Sequence, residues 1–201
     1  MSQLHITEIF FSLQGETRTV GLPTVFVRLA GCPLHCLCCD SAYAFLGGDW
    51  VEIDDILKEV ASYGAHYVTL TGGEPLAQEA CLSLLERLCN AGYEVSLETS
   101  GALDVSGVDN RVVKVVDIKT PGSGEMDRTL FANLDHLFPH DQIKFVIGGR
   151  EDYDWAKIIL EKYKLTERCQ VLFSPGSDEQ STRKLADWII EDRLKVRLQI
   201  E

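Results

Sequence analysis

The alternation of two hydrophobic patterns along the chain constrains its fold more than any other feature of the sequence. Short apolar runs rich in β-branched residues predict strands at residues 24–31, 66–73, 93–101, 111–119, 141–149, 168–176 and 195–201. Amphipathic patterns with helical spacing lie between them, at residues 51–64, 78–92, 151–165 and 180–192. Strands that alternate with helices form parallel βαβ units with right-handed crossovers. We therefore predict an α/β fold, a partial (β/α) barrel of about six parallel βα units, since a full eight-unit barrel usually needs ~250 residues.

Size and composition narrow the class of protein. With 201 residues, 45 % of them hydrophobic and 25 % charged, the chain is expected to form one domain over residues 1–201. No apolar run approaches the ~20 residues of a membrane-spanning helix, and the amino terminus lacks the pattern of a secretory signal. We therefore expect a cytoplasmic protein without a membrane partner. The net charge of −12 would repel a phosphate backbone, which argues against nucleic acid as a partner.

Small and polar residues stand at or just after the carboxyl ends of the predicted strands. In parallel folds the carboxyl ends of the strands meet at one edge of the sheet, and ligands bind there. One edge should therefore carry the functional site. The residues at these strand ends are Cys32, Gly72, Gly73, Ser100, Lys119, Gly148 and Ser174.

The loop at residues 31–41 contains four of the seven cysteines. Cys32, Cys36 and Cys39 have the spacing C-x3-C-x2-C, and Cys38 is additional. A structural zinc site usually takes four ligands from two separated knuckles, and the sequence has no second knuckle. Three thiolates suit a [4Fe-4S] cluster that leaves one iron open to another ligand. Adjacent side chains point in different directions, so Cys38 is not expected to bind the same cluster.

The other three cysteines favour a different interpretation. Cys81 and Cys89 lie eight residues apart on a predicted helix, and Cys169 lies at the start of a predicted strand. Buried thiols often act as small hydrophobic groups, so we expect these three to serve packing.

The cysteine spacing resembles the C-x3-C-x-φ-C signature of radical S-adenosylmethionine enzymes, with Cys38 at the φ position. "TLTGGEP" resembles the GGE motif of that superfamily, and "LETSG" and "DIKTP" resemble its later strand-end motifs. The resemblance implies that S-adenosylmethionine chelates the open iron and is cleaved to a 5′-deoxyadenosyl radical. The residues that it implies as contacts of S-adenosylmethionine are Cys38, Cys39, Asp40, Gly72, Gly73, Glu74, Ser100, Asp117, Ile118, Lys119 and Ser174.

A narrower resemblance covers the amino terminus. The segment "LQGE" at residues 13–16, the approach "GLPTVFVRLAGC" at residues 21–32 and the end of the cluster loop resemble the 7-carboxy-7-deazaguanine synthase family. The resemblance implies conversion of 6-carboxy-5,6,7,8-tetrahydropterin to 7-carboxy-7-deazaguanine with loss of ammonia, a step toward queuosine and other deazapurines. It also implies assistance by Mg²⁺, a flavodoxin or ferredoxin as electron donor, and a homodimer.

Several residues suit such a substrate. Arg28 offers a planar fork for a carboxylate and lies on the strand that enters the cluster loop. Gln14 and Glu16 would read the pyrimidine edge, and the backbone of Leu13 and Gly15 would close on the ring. Thr71, just before the two glycines, resembles a substrate contact of the family.

Two departures from the family pattern are visible. Ser41 stands where the family generally has threonine as a magnesium ligand; it keeps the hydroxyl, and magnesium prefers oxygen ligands. The sequence also ends at Glu201, where family members generally continue with a short tail that helps to close the active site. Either the chain is truncated or its pocket is closed differently.

Two other functions stay open at this stage. A glycyl-radical-enzyme activase shares the cluster spacing and a similarly compact fold, but it would need a groove for a protein partner. A non-catalytic zinc or iron–sulfur module would bind metal without cleaving S-adenosylmethionine.

Overall fold

A mostly parallel sheet forms the centre of the structure, a computed structural model that describes residues 2–37, 47–176 and 179–200. Within these residues the strands are ordered β3-β1-β2-β4-β5-β6-β7-β8-β9. β1 is antiparallel to β2 and to β3, and every pairing from β2 to β9 is parallel. The strands are β1 Gln3–Leu13, β2 Pro23–Leu29, β3 Asp49–Glu52, β4 Tyr67–Gly72, β5 Glu94–Thr99, β6 Val113–Asp117, β7 Gln142–Ile147, β8 Gln170–Pro175 and β9 Arg197–Leu198.

Helices cover the outer face of the sheet. They are α1 Ile53–Ser62, α2 Cys81–Asn90, α3 Arg150–Tyr163, α4 Leu165–Arg168 and α5 Glu179–Glu191. The connection from β6 to β7 instead consists of short 3₁₀ turns at Pro121–Ser123, Met126–Arg128 and Phe131–His136. The sheet is open, with β3 and β9 as its edges, so the predicted partial (β/α) barrel is confirmed.

The sequence patterns do not predict the two antiparallel strands. β3 lies partly inside the range 51–64 that was assigned to a helix, and α1 begins only at Ile53. The physical reason is tertiary, because Val51 pairs with Leu4 of β1. β9 is also shorter than predicted and covers only Arg197–Leu198.

Alternate residues of the strands face two different environments. Val68, Leu70, Val95 and Leu97 are at most 1 % exposed and pack in one core cluster with residues of α1 and α2. Ile143, Phe145, Val171 and Phe173 pack in a second cluster with residues of α3 and α5. Most intervening residues of β4, β5 and β7 are polar, and Thr69 contacts Ser96 while Thr71 and Lys144 interact with Glu98 on the inner face. The fold thus places its apolar core outside the barrel and a polar lining inside.

The segment after β1 reaches the far side of the sheet. Glu16 Oε2 lies 2.6 Å from Lys144 Nζ of β7, and the backbone N–H of Arg18 donates to Gln142 Oε1 at 2.9 Å. Gln199 Nε2, just after β9, donates to the carbonyl oxygen of Gly15 at 3.0 Å. The predicted substrate segment therefore bridges the open side of the barrel.

No helix in the described ranges combines the length and apolar character needed to cross a bilayer.

Candidate active site

The cysteine loop begins at the carboxyl end of β2. Cys32 and Cys36 are both partly exposed. The loop is held by the turns that follow β6, since the Leu37 N–H donates to the Ser123 carbonyl at 3.0 Å and the His35 N–H donates to Glu125 Oε1 at 2.8 Å. Two of the three predicted cluster ligands thus lie at the edge of the sheet where parallel folds bind ligands.

Four predicted site residues lie outside the described residues: Cys38, Cys39, Asp40 and Ser41. No group of three metal-binding side chains is present among the residues that the structure describes. This is consistent with a ligand set whose third cysteine, Cys39, is not among them.

Two glycines bring the end of β4 against the cysteine loop. A Cβ atom on Gly73 would lie 2.1 Å from the carbonyl oxygen of Gly31 and 2.9 Å from Cys32 Cβ. A Cβ on Gly72, whose φ is +131°, would lie 2.1 Å from the carbonyl oxygen of Leu29. Only glycine fits such contacts between backbones. The glycine pair is therefore required by the approach of two protein segments, in addition to any approach of a cofactor.

The carboxylate of Glu74 is bound entirely within the protein. The side chain is fully buried and accepts hydrogen bonds from Thr99 Oγ1 at 2.9 and 3.0 Å, from the Ser100 N–H at 2.8 Å and from the Leu76 N–H at 3.0 Å. The Ser100 hydroxyl also donates to it. Glu74 therefore ties β4 to β5, and any contact that it makes with a cofactor is through its backbone.

Two buried polar atoms at the ends of β6 and β8 have no hydrogen-bond partner among the described residues. They are Asp117 Oδ1 and Ser174 Oγ, and Ser174 is fully buried. Lys119 Nζ pairs with the other oxygen of Asp117, whereas the side chain of Ile118 is buried in the core. Buried polar groups are nearly always hydrogen-bonded, so these two atoms suit a ligand at the strand ends.

These features fit the cofactors that the sequence implies. Cys32 and Cys36 supply thiols beside the Gly73 backbone, and Asp117 and Ser174 supply unsatisfied oxygens on neighbouring parts of the same rim. We call this part of the molecule, comprising Cys32, Cys36, Gly72–Gly73, Asp117 and Ser174, the rim.

A charged cluster lies on the inner face, directly below the rim. Arg28 pairs with Thr71 in the β2–β4 register, and the next pair is Leu29 with Gly72. Arg28 Nε donates to Glu8 Oε1 at 2.8 Å, and the Arg28 side chain is only 16 % exposed. Its guanidinium carbon also lies 5.7 Å from the centre of the Phe10 ring. The Arg28 side chain is therefore largely buried on the inner face, whereas the side chain of its partner Glu8 is 40 % exposed.

Glu98 of β5 is a candidate site residue that the sequence analysis did not identify. Its Oε2 accepts from Thr71 Oγ1 at 2.7 Å, and its Oε1 lies 3.5 Å from Gln14 Nε2. Burial raises the pKa of the Glu98 carboxyl above its ordinary value, while the Thr71 hydrogen bond and the charges of Lys144 and Arg28 oppose that rise. A buried carboxyl with a shifted pKa among charged partners marks a candidate functional group.

The segment with the sequence LQGE contributes two polar side chains to the same cluster. Gln14 is 3 % exposed; its Nε2 donates to Thr69 Oγ1 at 3.1 Å, and its Oε1 accepts from the Glu16 N–H at 3.1 Å. Glu16 pairs with Lys144. The Leu13 side chain is 63 % exposed, so only its backbone is placed to face the barrel. We call the group of Glu8, Gln14, Glu16, Arg28, Thr71, Glu98 and Lys144 the interior cluster.

The remaining cysteines pack in the core, as predicted. Cys81 is fully buried, Cys169 is 9 % exposed, and Cys89 packs against the first core cluster. Burial raises the pKa of the Cys169 thiol to about 12 and raises the pKa values of Cys81 and Cys89 as well. Thiols with raised pKa values are poor metal ligands and nucleophiles.

Comparisons with known proteins identify the family. Residues 26–166 match the model of the radical SAM superfamily. The chain is 44 % identical to a 7-carboxy-7-deazaguanine synthase of Koribacter versatilis, over 98 % of this chain and 94 % of the relative. It is 40 % identical to the protein of the same name from Chlorobaculum tepidum, over 98 % and 91 %.

A solved structure has the same fold. The crystal structure of QueE from Escherichia coli superposes with a TM-score of 0.82, covering 100 % of this chain and 95 % of that chain at 24 % sequence identity. From the sequence matches together with the fold, the chain belongs to the 7-carboxy-7-deazaguanine synthase family of radical S-adenosylmethionine enzymes.

Proposed function

We propose that this chain converts 6-carboxy-5,6,7,8-tetrahydropterin to 7-carboxy-7-deazaguanine and ammonia. The names of the relatives support this reaction, and so does one observation above all: Thr71 of the interior cluster pairs with Arg28 and directly precedes Gly72 of the rim on β4. A substrate held by that cluster would lie beside the cofactor. The conversion is redox-neutral, since substrate and products differ only by the ammonia that is released.

The rim residues would hold the cofactors. Cys32, Cys36 and Cys39 would bind the [4Fe-4S] cluster, and the backbone of Gly72–Glu74 with Asp117, Ser174 and the other predicted contacts would bind S-adenosylmethionine. When bound, these groups would supply a 5′-deoxyadenosyl radical, the species needed to abstract the hydrogen atom at carbon 6 of the pterin. The protein's own part is to fix the substrate so that this atom faces the rim and water is excluded.

The interior cluster would orient the substrate through opposite charges at its two ends. Arg28 would bind the carboxylate. One or more of its N–H groups that now donate to Glu8 would then have to donate to the substrate instead. Glu16 and Glu98 carry acceptor oxygens and would face the N–H groups of the ring. Gln14, whose Nε2 donates to Thr69 and lies near Glu98, would contact the same edge of the substrate. The stacked pair Phe10 and Phe26, with ring centres 4.9 Å apart, would provide an apolar floor.

Further components belong to the proposal. Ser41 would bind Mg²⁺ through its hydroxyl, a flavodoxin or ferredoxin would reduce the cluster, and the enzyme would act as a homodimer in the reducing cytoplasm. Residues 1–201 would work as one radical S-adenosylmethionine domain, which the continuous sheet across β3 to β9 supports.

The test is anaerobic reconstitution with iron and sulfide, followed by mass spectrometry of the products from 6-carboxytetrahydropterin. We expect 7-carboxy-7-deazaguanine and substrate-dependent 5′-deoxyadenosine. Cleavage of S-adenosylmethionine without deazaguanine would leave the family assignment intact but exclude this substrate. One zinc per chain without cleavage would instead indicate a metal-binding module, and a radical formed on a partner protein would indicate an activase.

A further inference from the structure

Gln199 lies at the point where the last strand meets the LQGE segment. Its backbone N–H donates to the carbonyl oxygen of Phe173 at 2.9 Å, which extends the pairing of β9 with β8 by one residue. The side chain is 3 % exposed, and its Nε2 donates to the carbonyl oxygen of Gly15 at 3.0 Å. Gln199 therefore joins the far edge of the sheet to the segment between Gln14 and Glu16.

The hydrogen bonds fix which way the amide of Gln199 points. Nε2 donates to two carbonyl oxygens, those of Gly15 and Ile200, each at 3.0 Å. A flipped amide would set its oxygen against both acceptors, so only the observed orientation is stable. The amide oxygen, Oε1, is consequently directed away from both carbonyls. It is buried and has no hydrogen-bond partner within residues 2–37, 47–176 and 179–200.

An unpaired buried acceptor is unfavourable in a folded protein. An apolar residue at position 199 would have no unpaired acceptor, whereas glutamine carries one at a cost in stability. The buried, unpaired Oε1 therefore indicates that a ligand donates a hydrogen bond to Gln199.

We propose that Gln199 is a specificity-determining substrate contact, whose Oε1 accepts a hydrogen bond from the 2-amino group of the pterin. The inference rests on the proposed function and adds a residue that determines which end of the substrate lies beside Gly15. The substrate carboxylate has only acceptors, so Oε1 repels it and directs it toward Arg28. The amino-pyrimidine end has N–H donors, and it meets acceptors at Gln199 and at Glu16 beside Gly15.

A buried acceptor of this kind gives strong selectivity. A site built to receive an N–H discriminates against an analogue that lacks the group, because the site's polar atom then stays unpaired. The expected preference is about tenfold in affinity, or roughly 1.4 kcal/mol. A residue that only holds the loop would change the affinity of both ligands alike.

The experiment measures dissociation constants by fluorescence for 6-carboxypterin and for its analogue without the 2-amino group. The protein is the reconstituted enzyme with S-adenosylmethionine under anaerobic conditions. Wild type should bind 6-carboxypterin about tenfold more tightly than the analogue. In Gln199→Met, which keeps length but loses both polar atoms, that preference should fall to about twofold or less. The matched control is Gln3→Met near the opposite edge of the sheet, where an exposed glutamine donates to Glu52. It should leave both constants unchanged.

A second variant separates recognition of the ligand's 2-amino group from the structural contact between Gln199 and Gly15. Gln199→Glu keeps an acceptor but loses the donor to Gly15, so both affinities should fall while the preference for the amino group persists. Equal losses for both ligands in Gln199→Met, or no preference in wild type, would overturn the inference. Formation of deazaguanine by wild type is measured separately. Its absence counts against the proposed function, whereas its presence with an unchanged preference in Gln199→Met counts only against the role of Gln199.

Discussion

The rim and the interior cluster are built in different ways, although they adjoin on β4. The rim depends on backbone shape: Gly73 and Gly31 approach so closely that a single methyl group would not fit. The interior cluster depends on charged side chains that are far apart in sequence, such as Glu16 and Lys144, which are 128 residues apart. We therefore expect the rim to control cofactor chemistry and the interior cluster to control the choice of substrate. Variants in each region can test that division.

The largest effect is expected from the cluster ligands. Alanine at Cys32, Cys36 or Cys39 should abolish iron loading and cleavage of S-adenosylmethionine, because a cluster without one of its anchors is labile. Cys38→Ala is the control and should retain iron. Iron content and 5′-deoxyadenosine formation are the measurements. If Cys38→Ala loses the cluster while Cys39→Ala keeps it, the ligand assignment is wrong.

Gly73→Ala tests the backbone basis of the rim. The new Cβ would lie 2.1 Å from the Gly31 oxygen, so the cysteine loop must move, at a cost of about 3 kcal/mol. We expect a lower melting temperature and weaker iron binding. Gly149→Ala, where a Cβ has no atom within 4 Å, should behave as wild type. Normal iron loading in Gly73→Ala would mean that the close approach is not needed for the cluster.

Arg28→Ala should separate the two regions most clearly. Loss of the guanidinium leaves a substrate carboxylate unpaired in a water-poor site, which costs about 2–5 kcal/mol, or roughly 30-fold or more in turnover. Arg28→Lys should recover only part of the activity, since an ammonium does not reproduce the fork. Iron content and S-adenosylmethionine binding should be unchanged. Near-normal pterin turnover in Arg28→Ala would remove Arg28 from the substrate site.

A smaller effect is expected at Ser41. Ser41→Ala should reduce turnover by about tenfold and weaken its dependence on Mg²⁺, because a methyl group does not coordinate the cation. Ser41→Thr should be tolerated, and reductive cleavage of S-adenosylmethionine should persist in both variants. An alanine variant with an unchanged magnesium titration would contradict the assignment.

The smallest effect concerns stability and pH. The pKa of Glu98 is raised from its ordinary value of 4.5 by burial, so the folded state binds the proton more tightly than the unfolded chain. Below about pH 4.5 the group is neutral in both states; as the pH rises through the folded pKa, ionisation destabilises the fold. Glu98→Gln should therefore raise the melting temperature near pH 8, by about 2–4 °C for each 1 kcal/mol. The gain should shrink as the pH falls toward 4.5, and a gain independent of pH would refute a charge-based cause.

The sequence predicted the rim better than the interior cluster, for a physical reason. Cysteines at short spacing, and two glycines after a strand, are local patterns that follow from metal geometry and backbone sterics. Asp117 and Ser174 lie at the carboxyl ends of β6 and β8. The convergence of parallel strand ends made Ser174 a candidate, and the resemblance of DIKTP to a family motif made Asp117 one. Their contacts with S-adenosylmethionine stay predictions, as do those of Cys38, Cys39 and Asp40 outside the described residues.

Glu98 shows what the sequence analysis overlooked. It lies in "SLET", where polar Ser96 and Glu98 alternate with apolar Val95 and Leu97. Parallel strands buried on both faces usually read as continuous apolar runs, so this alternation, repeated at Thr69 and Thr71, was a signal that one face of the sheet is polar. That signal could have identified Glu98 as an inner-face residue, but it could not have named its partners.

By itself, the sequence determined the parallel α/β architecture, the cysteine loop and the glycine pair, because each depends on residues close together in the chain. The tertiary structure decided which charges meet. It paired Arg28 with Glu8, set Glu98 beside Thr71, and brought Gln199 to Gly15 across 184 residues. It also assigned Val51 to a strand rather than a helix. Such contacts depend on strand order and register, which arise only when the whole sheet assembles and buries its outer face against the helices.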